Sequence, residues 1–142
     1  MLAENIKREL SQKFAAELQG PVTLLLFTSE LASESCSDTR LMLRDLSELS
    51  DKIALRVHNF LLDKEEVSRY GVDKIPAIVL LGADEKDYGI LFYGLPDGYE
   101  FGSLIAGIIE VSQTKTQFSE DARQKIVAID VPLHIQVFVT PT

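Results

Sequence analysis

Residues 21–28 read PVTLLLFT, and residues 132–139 read PLHIQVFV, with proline, an apolar run and phenylalanine in the same order. The offset between the two stretches is constant from the prolines to the phenylalanines. Each stretch follows an amphipathic, helix-like segment. Self-similarity at a fixed spacing indicates repeated structural units. We therefore expect one complete unit followed by the beginning of a second unit, within a longer tandem protein.

The apolar run at 22–28 is typical of a strand that is covered on both faces. Helix and strand patterns alternate on either side of it. We predict helices over residues 3–18, 33–50, 64–70 and 99–112, and strands over residues 53–60, 76–81 and 88–93. This alternation predicts an α/β fold with a largely parallel sheet, helices on both faces and one closing antiparallel hairpin.

The polar stretch 114–118 is predicted to be a linker. It separates a complete unit, residues 1–113, from residues 119–142, which we interpret as the start of a second unit. The patterns in that last segment predict a helix at 119–130 and a strand at 133–139.

Composition excludes several functional classes. The 142 residues are 46% apolar and 25% charged, as in an ordinary soluble domain. A net charge of −8 argues against binding to nucleic acids or anionic membranes, which need a basic face. No apolar run has the length of a membrane span, and no signal sequence opens the chain, so we expect a cytoplasmic protein. A single cysteine excludes an internal disulfide and a zinc site of several thiolates, and we predict no metal and no cofactor.

Cys36 is the first candidate for chemistry, because backbone N–H groups in the first turn of a helix can stabilise a thiolate. Dithiol oxidoreductases place an attacking cysteine three residues before a resolving one at such a helix start. Here Ser33 holds the attacking position, and a hydroxyl cannot exchange with a disulfide. Glu30, Glu34 and Asp38 also oppose thiolate formation. The residues therefore favour Cys36 as a small buried apolar side chain, with monothiol chemistry as the alternative.

The other candidate positions carry weaker signals. Pro76 begins a predicted strand, where a missing N–H is tolerated, and the residues alone support an ordinary trans bond from Ile75. His58 and His134 lie in predicted strands without partners at metal-ligand spacing, so they predict no metal site.

Three segments carry a resemblance to a known family. FYGLPDGYEF at 92–101, LSELSDK at 46–52 and VFVTPT at 137–142 resemble the glutaredoxin-like protein disulfide oxidoreductases. Those proteins hold two thioredoxin-fold units in tandem. A weaker likeness exists to the N-terminal region of the alkyl hydroperoxide reductase flavoprotein, which also pairs two such folds and lacks cysteines in the first. The resemblance covers essentially the whole chain and implies a thioredoxin-like fold with a mixed four-stranded sheet.

The resemblance also assigns roles to individual residues. The Cys-x-x-Cys of the family's first unit falls on Ser33 and Cys36, so the attacking thiol is lost and Cys36 is a vestigial resolving residue. The proline of the family's substrate loop falls on Pro76, which implies a cis Ile75–Pro76 bond and a substrate-binding role for both residues. In the family, the tail motif runs into the Cys-x-x-Cys of the second unit, which we expect beyond Thr142.

Three functions follow as hypotheses. The leading one is a redox-inactive half of a tandem protein disulfide oxidoreductase, which supports a catalytic second unit and docks a protein disulfide or an extended peptide. The second is a monothiol protein that uses Cys36 for glutathione exchange or redox sensing. The third is the adaptor domain of a peroxiredoxin-reducing flavoprotein. We also expect strand 133–139 to add to a sheet edge of this unit or of a second copy, which would give a homodimer.

Overall fold

In the computed structural model, which describes residues 2–29 and 33–140, the run at 22–28 is an interior strand of a four-stranded sheet. The strands are Val22–Thr28 (β1), Ile53–Asn59 (β2), Ala77–Leu81 (β3) and Asp87–Tyr93 (β4). The helices are Glu4–Glu17 (α1), Glu34–Ser47 (α2), Lys64–Arg69 (α3), Tyr99–Gln113 (α4) and Glu120–Val127 (α5), and a short 3₁₀ turn at Ala83–Glu85 joins β3 to β4.

The strand order is β2-β1-β3-β4, and the sheet is mixed. Only β1 and β2 run parallel, whereas the β1–β3 and β3–β4 pairs are antiparallel. The prediction of a largely parallel sheet is therefore wrong, and the mixed sheet implied by the family resemblance is confirmed. The reason is the length of α3. Its six residues span about 9 Å, whereas a seven-residue strand such as β2 spans about 23 Å, so β3 starts at the edge where β2 ended.

β1 is apolar on both faces because helices cover both sides of the sheet. Leu24 and Leu26 belong to a core built with side chains of α1, α2 and α4. Leu25 and Phe27 point to the opposite face, where they pack with Val72 and residues of α3. This double cover explains why the run at 22–28 lacks the polar alternation of a strand with one exposed face.

The segment after α4, as far as residue 140, adds no strand to the sheet and no buried side chain to the core. α5 buries no residue, and residues 129–140 form neither helix nor strand. The predicted strand at 133–139 is thus absent from the structure, because nothing in the described part of the chain pairs with its backbone. The division of the chain at 114–118 remains a prediction. None of the helices in the described ranges is long and apolar enough to cross a membrane.

Candidate functional site

The candidate site lies at the edge of the sheet where β1 ends. Phe27, near the end of β1, is opposite Ala77, so Pro76 flanks the same edge. The chain then enters α2 within six residues of Thr28. Residues 30–32, which include Glu30, lie outside the described residues.

Cys36 lies in the first turn of α2 and is buried, with 2% of its surface exposed. Its N–H donates a hydrogen bond of 3.0 Å to the carbonyl oxygen of Ser33. The Ser33 hydroxyl lies 3.9 Å from Cys36 Sγ, to which it donates a long, weak hydrogen bond. Ser33 and Cys36 are therefore adjacent, as their spacing predicts, but the sulfur is closed to solvent.

The hydroxyl groups around Cys36 bond to each other and to the backbone. Ser33 and Ser35 share a hydrogen bond of 2.7 Å between their hydroxyl oxygens, and Ser33 caps no backbone N–H of α2. The completely buried Thr39 donates from its hydroxyl to the carbonyl oxygen of Ser35 at 2.7 Å. Nothing in this network generates a nucleophile that could attack a disulfide.

The segment before β3 is the second part of the site. The Ile75–Pro76 peptide bond is cis, and Pro76 is buried. The carbonyl oxygen of Pro76 accepts a hydrogen bond of 2.9 Å from the N–H of Gly94, whose φ of +84° suits glycine. The backbone of Ile75 makes no hydrogen bond to any residue that the structure describes. It therefore offers a free donor and a free acceptor at the sheet edge.

A charged cluster beside this segment was not predicted from the sequence. Asp73 and Lys74 are paired at 2.6 Å, and Lys74 Nζ lies 4.2 Å from the ring centre of Tyr93. The hydrogen bond from Lys74, followed by one from Tyr93, lowers the pKa of Asp73, and its carboxylate in turn raises the pKa of Lys74. Burial, followed by the hydrogen bond to Asp73, raises the pKa of Tyr93. The adjacency of Asp73 and Lys74 to Ile75 in the sequence was the signal that could have revealed this cluster.

The glycine–aromatic motif at 92–101 forms the turn between β4 and α4. Gly94 and Gly98 both have positive φ, which this turn requires. Tyr99 is almost fully exposed at the first position of α4, whereas Glu100 is half-buried. Burial raises the pKa of the Glu100 carboxyl. The motif thus contacts Pro76 through Gly94 and presents one exposed aromatic ring and one partly desolvated acid at the start of α4.

His58 lies at the same edge of the sheet, opposite Phe27, whereas His134 lies in the segment after α5. His58 stacks on Phe27 with ring centres 5.3 Å apart, and its Nδ1 lies 3.6 Å from Asp63. His134 is exposed beside Gln136. Within residues 2–29 and 33–140, no group of three or more His, Cys, Asp or Glu side chains could hold a metal ion.

Comparison with known proteins identifies relatives but no matching family model. The chain is 27% identical over 142 residues to the F subunit of alkyl hydroperoxide reductase (AhpF) from Staphylococcus epidermidis, an alignment that covers all of this chain and 25% of the relative. The chain therefore spans about a quarter of the length of the curated relatives that it matches.

Comparison with solved structures shows which fold the chain has. The NTD_N/C domain of alkylhydroperoxide reductase AhpF from Enterococcus faecalis is 29% identical with a TM-score of 0.80, covering 90% of this chain and 61% of that one. A protein disulfide oxidoreductase from Aeropyrum pernix is 23% identical with a TM-score of 0.78, covering 90% and 55% respectively, and this match shows the fold alone. The chain thus has a thioredoxin-like fold and is homologous to the N-terminal domain of AhpF. Both predicted resemblances are confirmed, and the identity is higher to AhpF.

Proposed function

We propose that this chain is a redox-inactive thioredoxin-fold unit of a larger AhpF-like protein, and that it supports a second unit that carries the dithiol. The observation that carries this proposal is the pair formed by Ser33 and Cys36: a hydroxyl in the attacking position and a buried sulfur in the resolving position. The homology to the N-terminal domain of AhpF supports the redox context.

The chemistry of disulfide exchange explains why this pair is inactive. The reaction needs a thiolate that reaches a sulfur of the substrate disulfide, and then a second thiol that releases the mixed disulfide. Ser33 is exposed but has no sulfur. Cys36 has sulfur but cannot reach a substrate from its buried position, and the chain contains no second cysteine. The same burial counts against the monothiol alternative, which needs an accessible thiol.

A binding role is compatible with the loss of the thiol. The free N–H and C=O of Ile75 can pair with an extended segment in the manner of an added strand. The bond between Gly94 and Pro76 holds this segment in position on its other side. We propose that a protein disulfide, or an extended peptide segment of the second unit, docks here through Ile75 and Pro76.

The second part of the proposal concerns the longer protein to which this unit belongs. The relative from Staphylococcus epidermidis is a subunit of an alkyl hydroperoxide reductase. Its alignment covers all of this chain and 25% of the relative. We therefore favour an adaptor role in a peroxide-reducing system over a stand-alone disulfide oxidoreductase. Reading the codons beyond Thr142 tests this directly: a second thioredoxin-like unit with Cys-x-x-Cys and then flavin and nicotinamide modules are expected, and their absence would contradict it.

The inactive state of this unit is tested with Ser33→Cys. Because the Ser33 oxygen lies 3.9 Å from Cys36 Sγ, a small movement brings two sulfurs to the bond length of about 2.05 Å. We expect the oxidised variant to contain an intramolecular disulfide by thiol titration and to catalyse insulin reduction by dithiothreitol.

Ser35→Cys is the matched control, since it adds a thiol to the same turn at the wrong spacing. It should form no intramolecular disulfide and give no catalysis. The unsubstituted chain should also be inactive. Appreciable insulin reduction by the unsubstituted chain would overturn the proposal.

A further inference from the structure

A shallow apolar groove runs between α1 and α4, over side chains that both helices contribute to the core. Its volume is about 420 Å³. The floor is formed by apolar and small side chains, which are Ile6, Leu10, Phe101, Gly102, Ile105, Ala106 and Ile109. The rim is formed by polar side chains, which are Glu9, Lys13, Glu17, Glu110 and Gln117. The residues of the proposed redox and docking site are absent from both sets.

Gly102, in the floor of the groove, has no explanation within the fold. Glycine inside a helix costs about 0.5–1 kcal/mol relative to alanine. Gly107 has an internal reason, because a Cβ there would lie 3.0 Å from the Leu80 side chain. A Cβ on Gly102 would meet nothing within 4 Å, and its backbone has ordinary helical dihedrals. Gly102 therefore faces open space in the lining of the groove, and this space is called the notch below.

The rim of the groove is acidic. Lys13 is neutralised by Glu17 at 3.0 Å. In the part of the chain that the structure describes, neither Glu9 nor Glu110 is in an ion pair. Two uncompensated carboxylates thus flank the apolar floor, which suits a partner with basic residues beside an apolar stripe.

The walls of the groove determine the secondary structure of its occupant. Both walls are helices whose backbone groups are already paired within the helix, so the groove offers no backbone donors or acceptors to an extended chain. An occupant must satisfy its own backbone hydrogen bonds, which favours a helix. From Phe101 to Ile109 the floor extends about 12 Å, which is between two and three helical turns.

We propose that this groove binds an amphipathic helix of a partner protein, with an apolar stripe that enters the notch at Gly102 and with lysine or arginine residues that face Glu9 and Glu110. This is helix-in-groove recognition, in which residues at i, i+3/i+4 and i+7 provide the anchors. The inference is independent of the redox proposal, since it involves neither Cys36 nor Ile75.

The test uses the whole chain and synthetic peptides of about four helical turns. One peptide carries leucines on one face and lysines on the other, a second has glutamates in place of the lysines, and a third has the lysine composition in scrambled order. Binding is followed by amide chemical shifts at about 0.15 M salt, where long-range charge effects are screened. We expect the ordered lysine peptide alone to bind saturably and to shift amides of α1 and α4.

Two variants locate the site. Gly102→Leu fills the notch and should weaken binding of the lysine peptide by more than about tenfold, which corresponds to ~1.4 kcal/mol. Ser103→Leu adds the same side chain to an exposed position of α4 outside the groove and should leave affinity unchanged. Glu110→Lys, at another exposed position, should weaken the lysine peptide and strengthen the glutamate peptide.

Several outcomes would overturn the proposal. These are equal binding of the ordered and scrambled lysine peptides, equal effects of Gly102→Leu and Ser103→Leu, or shifts confined to other elements. If the chain without peptide shifts the same amides as its own concentration rises, a second copy is the occupant and the proposed partner is wrong.

Discussion

Phe27 and Phe138 occupy the same position in two similar eight-residue sequences, yet Phe27 is fully buried and Phe138 is 88% exposed. The first sequence is an interior strand between β2 and β3, with helices on both faces. The second forms no strand and leaves its apolar side chains in solvent. Strand propensity is present in both, so the difference comes from the neighbours. A strand sequence becomes a strand only where a sheet supplies its hydrogen bonds.

The helices that precede the two sequences differ in the same way. α1 is anchored by Asp45 of α2, whose carboxylate accepts hydrogen bonds of 2.7 Å from the N–H of Leu2 and 3.0 Å from Lys7 Nζ. It also buries Leu10 and Phe14. α5 relies on local contacts, which include a Ser119 cap and an ion pair between Lys125 and Asp121. The first helix is thus held by tertiary packing, whereas the second is held by its own residues.

The largest effect is expected from removing the two phenylalanine rings. Phe27→Ala should lower the free energy of unfolding by about 3–5 kcal/mol, because it opens a cavity in a closed core. Phe138→Ala should change it by less than about 0.5 kcal/mol, since the ring is exposed. Urea unfolding measures both values. Equal losses in the two variants would show that the second sequence is packed in solution.

A smaller effect is expected from breaking the anchor of α1. Asp45→Asn removes the ion pair with Lys7 and should lower the unfolding midpoint by about a few °C, less than Phe27→Ala does. Asp121→Asn breaks the exposed pair in α5 and is the matched control, with no measurable change expected. A larger loss from the α5 variant would contradict the distinction between the two helices.

The anchor also predicts a pH dependence. Burial raises the pKa of Asp45, but the hydrogen bonds from Leu2 and Lys7 outweigh this effect and hold the pKa below its ordinary value of 3.8. Because the pKa is lower in the folded state, the stabilisation by Asp45 is fully present above 3.8 and is lost as the pH falls through the folded value. Thermal unfolding between neutral and acid pH should therefore show a shallower loss of stability in Asp45→Asn. Parallel curves for the two proteins would refute the assignment.

The sequence predicted the folded unit better than its surroundings. Apolar periodicity placed β1 at its observed bounds and located each of the helices α1 to α4 to within three residues. The prediction of a largely parallel sheet was wrong, because the alternation of helices and strands does not reveal that α3 is too short to return the chain to the opposite end of the sheet. Apolar periodicity also predicted a strand at 133–139 that the structure lacks. The periodicity depends on local sequence, whereas a strand also needs a neighbouring strand to pair with.

The candidate site was predictable to a similar degree. Spacing alone brought Ser33 and Cys36 together, and the family resemblance pointed to Pro76. The contact of Asp73 and Lys74 with Tyr93 was not predictable from spacing, because Tyr93 is the last residue of β4 and lies 20 residues after Asp73.

The smallest effect on stability is expected from deleting residues 131–142. The unfolding midpoint should stay within about 1 °C, since this segment buries none of its described residues. If the strand sequence pairs with a sheet edge of a second copy, as its apolar pattern predicts, the full chain should show concentration-dependent self-association by analytical sizing, and the shortened chain should not. Identical monomeric elution of both would rule out strand exchange.

The alkylation rate of Cys36 tests whether this thioredoxin-fold unit has a sulfur available for exchange. The chain is treated with N-ethylmaleimide at neutral pH, folded and in denaturant, and the modified fraction is followed by mass spectrometry. We expect the folded chain to react orders of magnitude more slowly, because the sulfur becomes accessible only when the unit opens. Equally rapid labelling of the folded and unfolded chains would contradict it.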